Sequence, residues 1–462
     1  MKLCALRLVA AILCLVLAAR VAAAADPFPG AAWERVAPEA AGWSASKLAK
    51  AEQWSQRIGS IAVMVVHRGA VVAEWGDTSA RTPLASVRKS LLSALIGKAV
   101  ERGEIDLSRP IGALGIDDNE PSLTAEEKSA TVRDLLMSRS GIYHAALYET
   151  AAMAAQRPRR GSHKPGSFWY YNNWDFNTLG AIHEHAVRSS IFDAFEREIA
   201  RPIGMQDYRP SDGEYVTGAA SVYPAYPIRM SARDLARFAL LYLHKGRWQD
   251  RQVVSAKWVE ESTQAYSRSD FGPGYGYLWW TGPLNGGIAP SVELPQGTFF
   301  AQGVGGQYAF VIPRYDLVVV RRGPHVEGGA GYREIGRLLW LLLDAGGFRD
   351  IGPDASIGAA WIAPATGETL LRILPGKTLV YGETASQAPY RIRLNADGSA
   401  VVLRGREPTE LDTGSCSVRE GQLCRAWKKL GSQCSAVVTD GSKVELFDRA
   451  GLILIDGRIA DD

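Results

Sequence analysis

The segment Ser86-Val87-Arg88-Lys89-Ser90-Leu91-Leu92-Ser93-Ala94-Leu95-Ile96 decides how the chain is read. Leu91, Leu92, Leu95, Ile96 and Val100 recur on one helical face and the pattern stops near Gly103, which predicts a long helix beginning at Ser86. At the start of a helix, positions i and i+3 share a face, so the Lys89 amine can approach the Ser86 hydroxyl. The same N-terminus offers unsatisfied backbone N–H groups, that of Ser86 among them. A hydrolytic serine needs such a base within reach, donors for the oxyanion, and a route for the proton to the leaving group. Ser-x-x-Lys arises by chance on the order of once in a chain this long. Ser44-Ala45-Ser46-Lys47 is a second instance, read as an N-cap with a solvated lysine. Context separates the two. Ser86 follows a predicted β-hairpin, with strands at 61–66 and 71–75 around a turn at 67–70, and it opens a helix apolar enough to be buried.

Two further stretches extend the constellation. In Tyr171-Asn172-Asn173, a phenol facing the nucleophile can relay a proton, and an amide two residues on can hold the lysine or a substrate carbonyl. Tyr170-Tyr171-Asn172 is a competing register. In Gly303-Val304-Gly305-Gly306-Gln307, glycines would let backbone approach a ligand and a strand N–H complete an oxyanion hole. The same glycines also read as a hairpin turn. Helical patterns recur at 131–138, 176–188, 231–244, 256–262 and 332–343, and strands at 308–312 and 317–321 flank Pro313-Arg314-Tyr315-Asp316. Helix-rich sequence between two groups of antiparallel strands predicts an α/β (α+β) domain whose helices are inserted into or cover one sheet. Beyond Gly346-Gly347, short alternating strands with turns at 395–398 and 440–441 predict a separate small all-β domain over 355–462.

The chain has 462 residues, 47% hydrophobic and 22% charged, a globular composition long enough for two or three domains. Its net charge of +3 has a location: residues 1–25 hold Lys2, Arg7 and Arg20 and no acid, and the remainder is formally neutral. A neutral body argues against nucleic acid as a partner, because phosphate binding needs clustered uncompensated Lys and Arg. Residues 1–25 combine those cations with an apolar run at 8–19 and a small-residue end, Ala22-Ala23-Ala24-Ala25-Asp26, and are read as a signal peptide. The run is shorter than the ~20 residues a bilayer span needs, so a periplasmic or secreted protein without a membrane span is expected. Beyond the signal, Cys416, Cys424 and Cys434 would face an oxidising compartment, and an odd count leaves one unpaired within the chain.

The three motifs, in this order, resemble the serine β-lactamase and penicillin-binding protein superfamily over roughly residues 35–345. Accessory segments add to the likeness, among them Thr131-Val132-Arg133-Asp134-Leu135-Leu136, Arg201-Pro202-Ile203-Gly204-Met205 and Tyr275-Gly276-Tyr277-Leu278-Trp279-Trp280. The chain is most similar to the class C-type esterases and amidases, particularly aminohexanoate-oligomer hydrolases. The resemblance implies an antiparallel sheet with packed helices and an all-helical subdomain, and a hydrolase needing no cofactor or metal. It implies Ser86 as acylated nucleophile, Lys89 as base, Tyr171 as proton relay and Asn173 as orienting amide. Gly306 and Gln307 then bind substrate, with the Gln307 N–H as second oxyanion donor beside that of Ser86. The expected function is cleavage of small esters or amides, with a β-lactamase, a D-Ala-D-Ala peptidase or a catalytically silent cell-envelope binding protein as rivals.

One departure bears on specificity. Where the family carries a cation in its third motif to hold a substrate carboxylate, this chain has Val304. Arg88, Arg321 or Arg322 could substitute, but each reads more simply as solvated. Together with the neutral body, this tilts the expectation toward a neutral substrate. Trp169, Tyr170, Trp174 and Trp279-Trp280 are candidates to line an apolar pocket. His183-Glu184-His185 lacks the spacing of a zinc helix, and His144 is read as structural. The C-terminal part resembles a small β domain at the ends of exported proteobacterial proteins. Cys424 and Cys434, ten apart on predicted neighbouring strands, are expected to form a disulfide; the likeness makes Cys416 the spare thiol, and the domain is expected to bind an envelope component.

Overall fold

Ser44 accepts the Lys47 backbone N–H at 3.4 Å and starts helix α1 (Ala45–Arg57), so the first Ser-x-x-Lys is an N-cap. A computed structural model describes residues 28–268, 274–282, 294–325, 330, 332–348, 367–381, 389–405, 407–419, 421–439, 443–447 and 453–461. The predicted signal peptide at 1–25, the boundary between the two predicted domains at 350–355 and the turn at 440–441 lie outside the described residues.

The predicted hairpin forms as β1 (Ala62–His67) and β2 (Ala70–Gly76). The chain then makes a 3-10 turn at Ala85–Val87 and enters α2 (Arg88–Glu101). The α-helix thus begins two residues later than its periodicity predicts, and Ser86 sits in the tighter turn that leads into it. Ala85 adopts φ +49°, a left-handed conformation uncommon for a residue with a Cβ. Nearly every side chain of α2 is buried, and Ser90 donates to the Leu278 carbonyl at 2.8 Å. Helix α3 (Asn173–Val187) starts earlier than its apolar pattern because the Asn172 amide oxygen caps the Trp174 N–H at 3.1 Å. Ser231 caps α4 (Ala232–Leu243) in the same way.

Six more strands follow: β3 (Ser267–Arg268), β4 (Gly274–Tyr275), β5 (Trp280–Thr281), β6 (Phe299–Gly303), β7 (Gln307–Ile312) and β8 (Leu317–Arg322). They join the hairpin in one antiparallel sheet of order β2-β1-β8-β7-β6-β5-β4-β3. The opening hairpin therefore pairs with the last strand of this sheet in chain order, Ala62 opposite Arg322, as expected of helices inserted into one sheet. Helix α4 packs on β8, β7 and β1. Helix α5 (Tyr332–Ala345) packs on α1, where the Trp54 indole donates to the Glu334 carbonyl at 2.9 Å.

A second apolar cluster belongs to the C-terminal part, around Leu379, Ile392, Val402, Leu423, Val437 and Leu446. Here a short helix, α6 (Gly367–Ile373), precedes eight antiparallel strands: β9 (Lys377–Tyr381), β10 (Tyr390–Leu394), β11 (Ser399–Arg404), β12 (Thr409–Arg419), β13 (Gln422–Trp427), β14 (Gly431–Thr439), β15 (Lys443–Phe447) and β16 (Ile453–Asp461). Pairing of β16 with β9 closes the sheet into a barrel. The interior is filled by side chains such as Leu370 from α6, as the narrow lumen of an eight-stranded barrel requires. Cys424 and Cys434 are register partners on β13 and β14 and form a disulfide. Cys416 on β12 is free, its thiol pushed up to about 11 chiefly by burial.

Candidate active site

Ser86, Lys89 and Tyr171 meet. The Lys89 amine lies 2.8 Å from the Ser86 hydroxyl and 2.8 Å from the Tyr171 hydroxyl, so one nitrogen bridges both oxygens. Lys89 is buried, with its amine 4.4 Å from the centre of the Phe176 ring. No carboxylate forms an ion pair with it among the described residues. Burial first, and the positive charge of Arg88 second, hold the amine well below the ordinary lysine value, which favours the neutral, proton-accepting form. Tyr171 is fixed by stacking on Trp280 and by edge contact with Tyr275. The competing register is excluded: the Tyr170 hydroxyl donates to the Met153 carbonyl at 2.9 Å.

These groups border a cavity of about 820 Å³ whose lining includes Ser86, Tyr171, Asn173, Gly303 and Val304. The Asn173 side chain makes no hydrogen bond to Lys89. Its amide nitrogen donates to the Tyr148 carbonyl at 2.6 Å, and its oxygen is buried, lacking a partner among the described residues. Trp169, Tyr170 and Trp280 form part of the cavity wall, whereas Trp174 and Trp279 are core. The Trp174 indole bonds the Asp118 carboxylate at 2.6 Å, and Trp279 packs among Phe238, Tyr242 and Phe299.

The third motif requires a correction. Gly306 and Gln307 do not line the cavity. The Gln307 side chain is fully buried, donating to the Gly323 carbonyl at 2.6 Å and accepting from Arg322 at 2.9 Å. Gly306 gives its carbonyl to Arg321 at 2.7 Å. Val304, Gly305 and Gly306 form the hairpin turn between β6 and β7, both glycines at positive φ and Gly303 opposite Gln307. The motif therefore meets the serine at the end of β6. A Cβ on Gly303 would lie 2.6 Å from the Leu84 carbonyl oxygen and 2.9 Å from the Ser86 nitrogen. The signal for this was present: two glycines between two apolar strands mark a turn, and residues after a turn belong to the outgoing strand.

Arg88, Arg321 and Arg322 are not solvated; each is 1% exposed. Every nitrogen of Arg321 and Arg322 has an oxygen partner: Arg321 bonds Ser60 and the carbonyls of Ile58, Gly305 and Gly306, and Arg322 bonds Gln307 and the carbonyls of Met230, Thr82 and Pro83. Arg88 differs. Its Nη1 donates to the Ala85 carbonyl at 2.9 Å, while Nε and Nη2 have no partner among the described residues. Tyr148, Glu149, Met153, Gln302 and His325 also line the cavity and carry no motif that would have marked them; Glu149 is paired with Arg157. His183 is buried, its imidazole lowered to about 4 by desolvation, and His144 lies 4.0 Å from Glu127, away from the serine.

The family model described as Beta-lactamase matches residues 45–321, a span that holds Ser86, Lys89, Tyr171 and Gly303. The chain belongs to the β-lactamase family. Among solved structures, this β-lactamase-family chain is similar to an octameric penicillin-binding protein homologue from Pyrococcus abyssi, at 17% identity over 90% of this chain and 99% of that one, with a TM-score of 0.50. It is also similar to a putative 6-aminohexanoate-dimer hydrolase from Bacillus anthracis, at 22% identity over 65% of this chain and 82% of that one, with a TM-score of 0.49. A class C β-lactamase from Rhodobacter sphaeroides shares 19% identity over 65% of this chain and 99% of that one, with a TM-score of 0.47. No curated protein matches the chain. No helix among the described residues is long and apolar enough to cross a membrane.

Proposed function

We propose that this β-lactamase-family protein is an exported serine hydrolase that cleaves small esters or amides through an acyl-enzyme on Ser86. The observation that carries the reading is the single Lys89 amine held 2.8 Å from both Ser86 and Tyr171 in a buried setting that lowers its basicity. Lys89 takes the Ser86 proton as the oxygen attacks the substrate carbonyl. The developing oxyanion is held by the backbone N–H groups of Ser86 and Val304, because Val304 follows Gly303 at the strand end that abuts the serine. Tyr171, bonded to the same amine, passes the proton to the leaving group. Water then attacks the acyl-enzyme with Lys89 as base. Asn173 offers its unpartnered oxygen to a donor on the substrate. The aromatic wall of Trp169, Tyr170 and Trp280 accepts the apolar portion. Export rests on the composition of residues 1–25.

A fluorophosphonate probe is expected to label the wild type and not Ser86→Ala, and p-nitrophenyl esters should be turned over by the wild type alone, with a loss of about 10³-fold or more in kcat. Full activity in Ser86→Ala would overturn the assignment. Absence of both labelling and turnover in the wild type would favour a binding protein that keeps the fold. Stable acylation by a fluorescent penicillin would favour a β-lactamase or peptidase.

A further inference from the structure

Arg88 is a buried cation beside the nucleophile for which the hydrolytic scheme above has no use. It is 1% exposed, two residues after Ser86, and it lines the cavity that holds the serine. No carboxylate pairs with it among the described residues; Glu149, in the same lining, is paired with Arg157. The rings of Tyr148 and Tyr226 flank the guanidinium at 5.1 and 5.0 Å. One nitrogen, Nη1, is spent on the Ala85 carbonyl at 2.9 Å. The two left without partners, Nε and Nη2, are adjacent and form the side-on edge of the fork, whose parallel N–H groups match the two oxygens of a carboxylate. Arginine cannot escape an unpaired buried position by losing its proton, so its charge calls for a counter-charge. Arg321 and Arg322 are equally buried but have every nitrogen occupied, so neither can do this work.

We propose that Arg88 is the substrate's carboxylate-binding residue, and that the preferred substrates are esters or amides carrying a carboxylate a short chain away from the reacting carbonyl. The inference rests on the serine-hydrolase reading and reverses the expectation drawn from Val304: the cation missing from the third motif is supplied from the turn of the helix that carries the nucleophile. A carboxylate fits better than a phosphate dianion, because one guanidinium balances one negative charge and the neighbouring Lys89 is held toward its neutral form. A purely structural Arg88, clasping the Ala85 carbonyl between two tyrosines, would serve neutral and anionic substrates alike.

Paired substrates separate these roles. Mono-p-nitrophenyl glutarate is compared with p-nitrophenyl pentanoate for a charge on the acyl side, and 3-acetoxybenzoate with phenyl acetate for a charge on the leaving group. For the wild type, kcat/KM is expected to favour the anionic member of at least one pair by tenfold or more. In Arg88→Met that ratio should collapse to near one, and in Arg88→Lys it should be intermediate, since the charge stays and the fork is lost. Equal losses on both members of each pair in Arg88→Met, or no anionic preference in the wild type, would overturn the proposal even where turnover upholds the hydrolase reading. Binding to the full-length Ser86→Ala protein removes the dependence on turnover. Monomethyl glutarate should bind at least tenfold more tightly than dimethyl glutarate, and adding Arg88→Met should erase the difference. Equal affinities, or no binding of either compound, would reject the carboxylate site.

Discussion

Lys89 ties turnover and stability to pH in the same direction. In the proposed mechanism its neutral amine is the reactive form, and burial lowers its proton affinity, so kcat/KM is expected to fall on acidification and to reach its plateau well below the ordinary lysine value. The same depression means that the unfolded chain binds a proton that the folded one excludes, so this group's contribution to stability rises with pH, up to the unfolded lysine value of about 10.4. Lys89→Met should abolish turnover and, in thermal unfolding, make Tm less dependent on pH between 7 and 10. An unchanged pH dependence would show that the amine is charged in the folded protein. The Ser86, Lys89 and Tyr171 constellation was legible because Ser and Lys at i and i+3 are neighbours whatever the rest of the chain does, and Tyr171 came with its own motif. Arg88 was not legible: its burial is imposed by Tyr148 and Tyr226, distant in sequence, and a charged residue in isolation reads as solvated.

At the scale of elements, two glycines set distances that no side chain could. Gly303 brings β6 against the turn carrying Ser86, and a methyl there would meet backbone at 2.6 and 2.9 Å. Gly303→Ala is therefore expected to push the strand end away from the serine and lower kcat by about 10²-fold, a cost typical of misplacing a site by roughly 1 Å. Its circular dichroism should stay native; retention of wild-type kcat would remove β6 from the oxyanion site. Gly97 plays the equivalent role in the core, where a Cβ would lie 2.3 Å from the Trp258 ring. Gly97→Ala should destabilise the protein by about 1–3 kcal/mol through overpacking, seen as a lower Tm. Helix positions were predicted within a few residues because apolar period and caps agree, as at Ser231. The third motif was misplaced: whether Gly303 or Gly306 abuts the serine depends on where the hairpin turns, which the paired glycines signalled but their reading as a ligand-binding loop overrode.

For the molecule as a whole, the barrel and the β-lactamase-like part have separate apolar clusters, around Leu423 and Leu95 for example. The short alternating strands were readable, but closure was not, because it depends on pairing between β9 and β16 at opposite ends of the domain. With Cys424 and Cys434 joined, exported protein lacking residues 1–25 should present a single thiol, that of Cys416, to iodoacetamide after denaturation without reductant, and three after reduction. Mass spectrometry distinguishes these counts, and three thiols before reduction would argue against passage through an oxidising compartment.

The left-handed backbone at Ala85 points to a compromise that directed evolution can expose. Ala85→Gly removes the methyl responsible for the unfavourable conformation, so selection of random libraries for heat tolerance alone should enrich it. Selection for turnover should discard the same substitution if the rigid kink holds Ser86 in its attacking position. The two selections would then pull a single codon in opposite directions, and the frequency of glycine there would report how far this protein trades durability for speed.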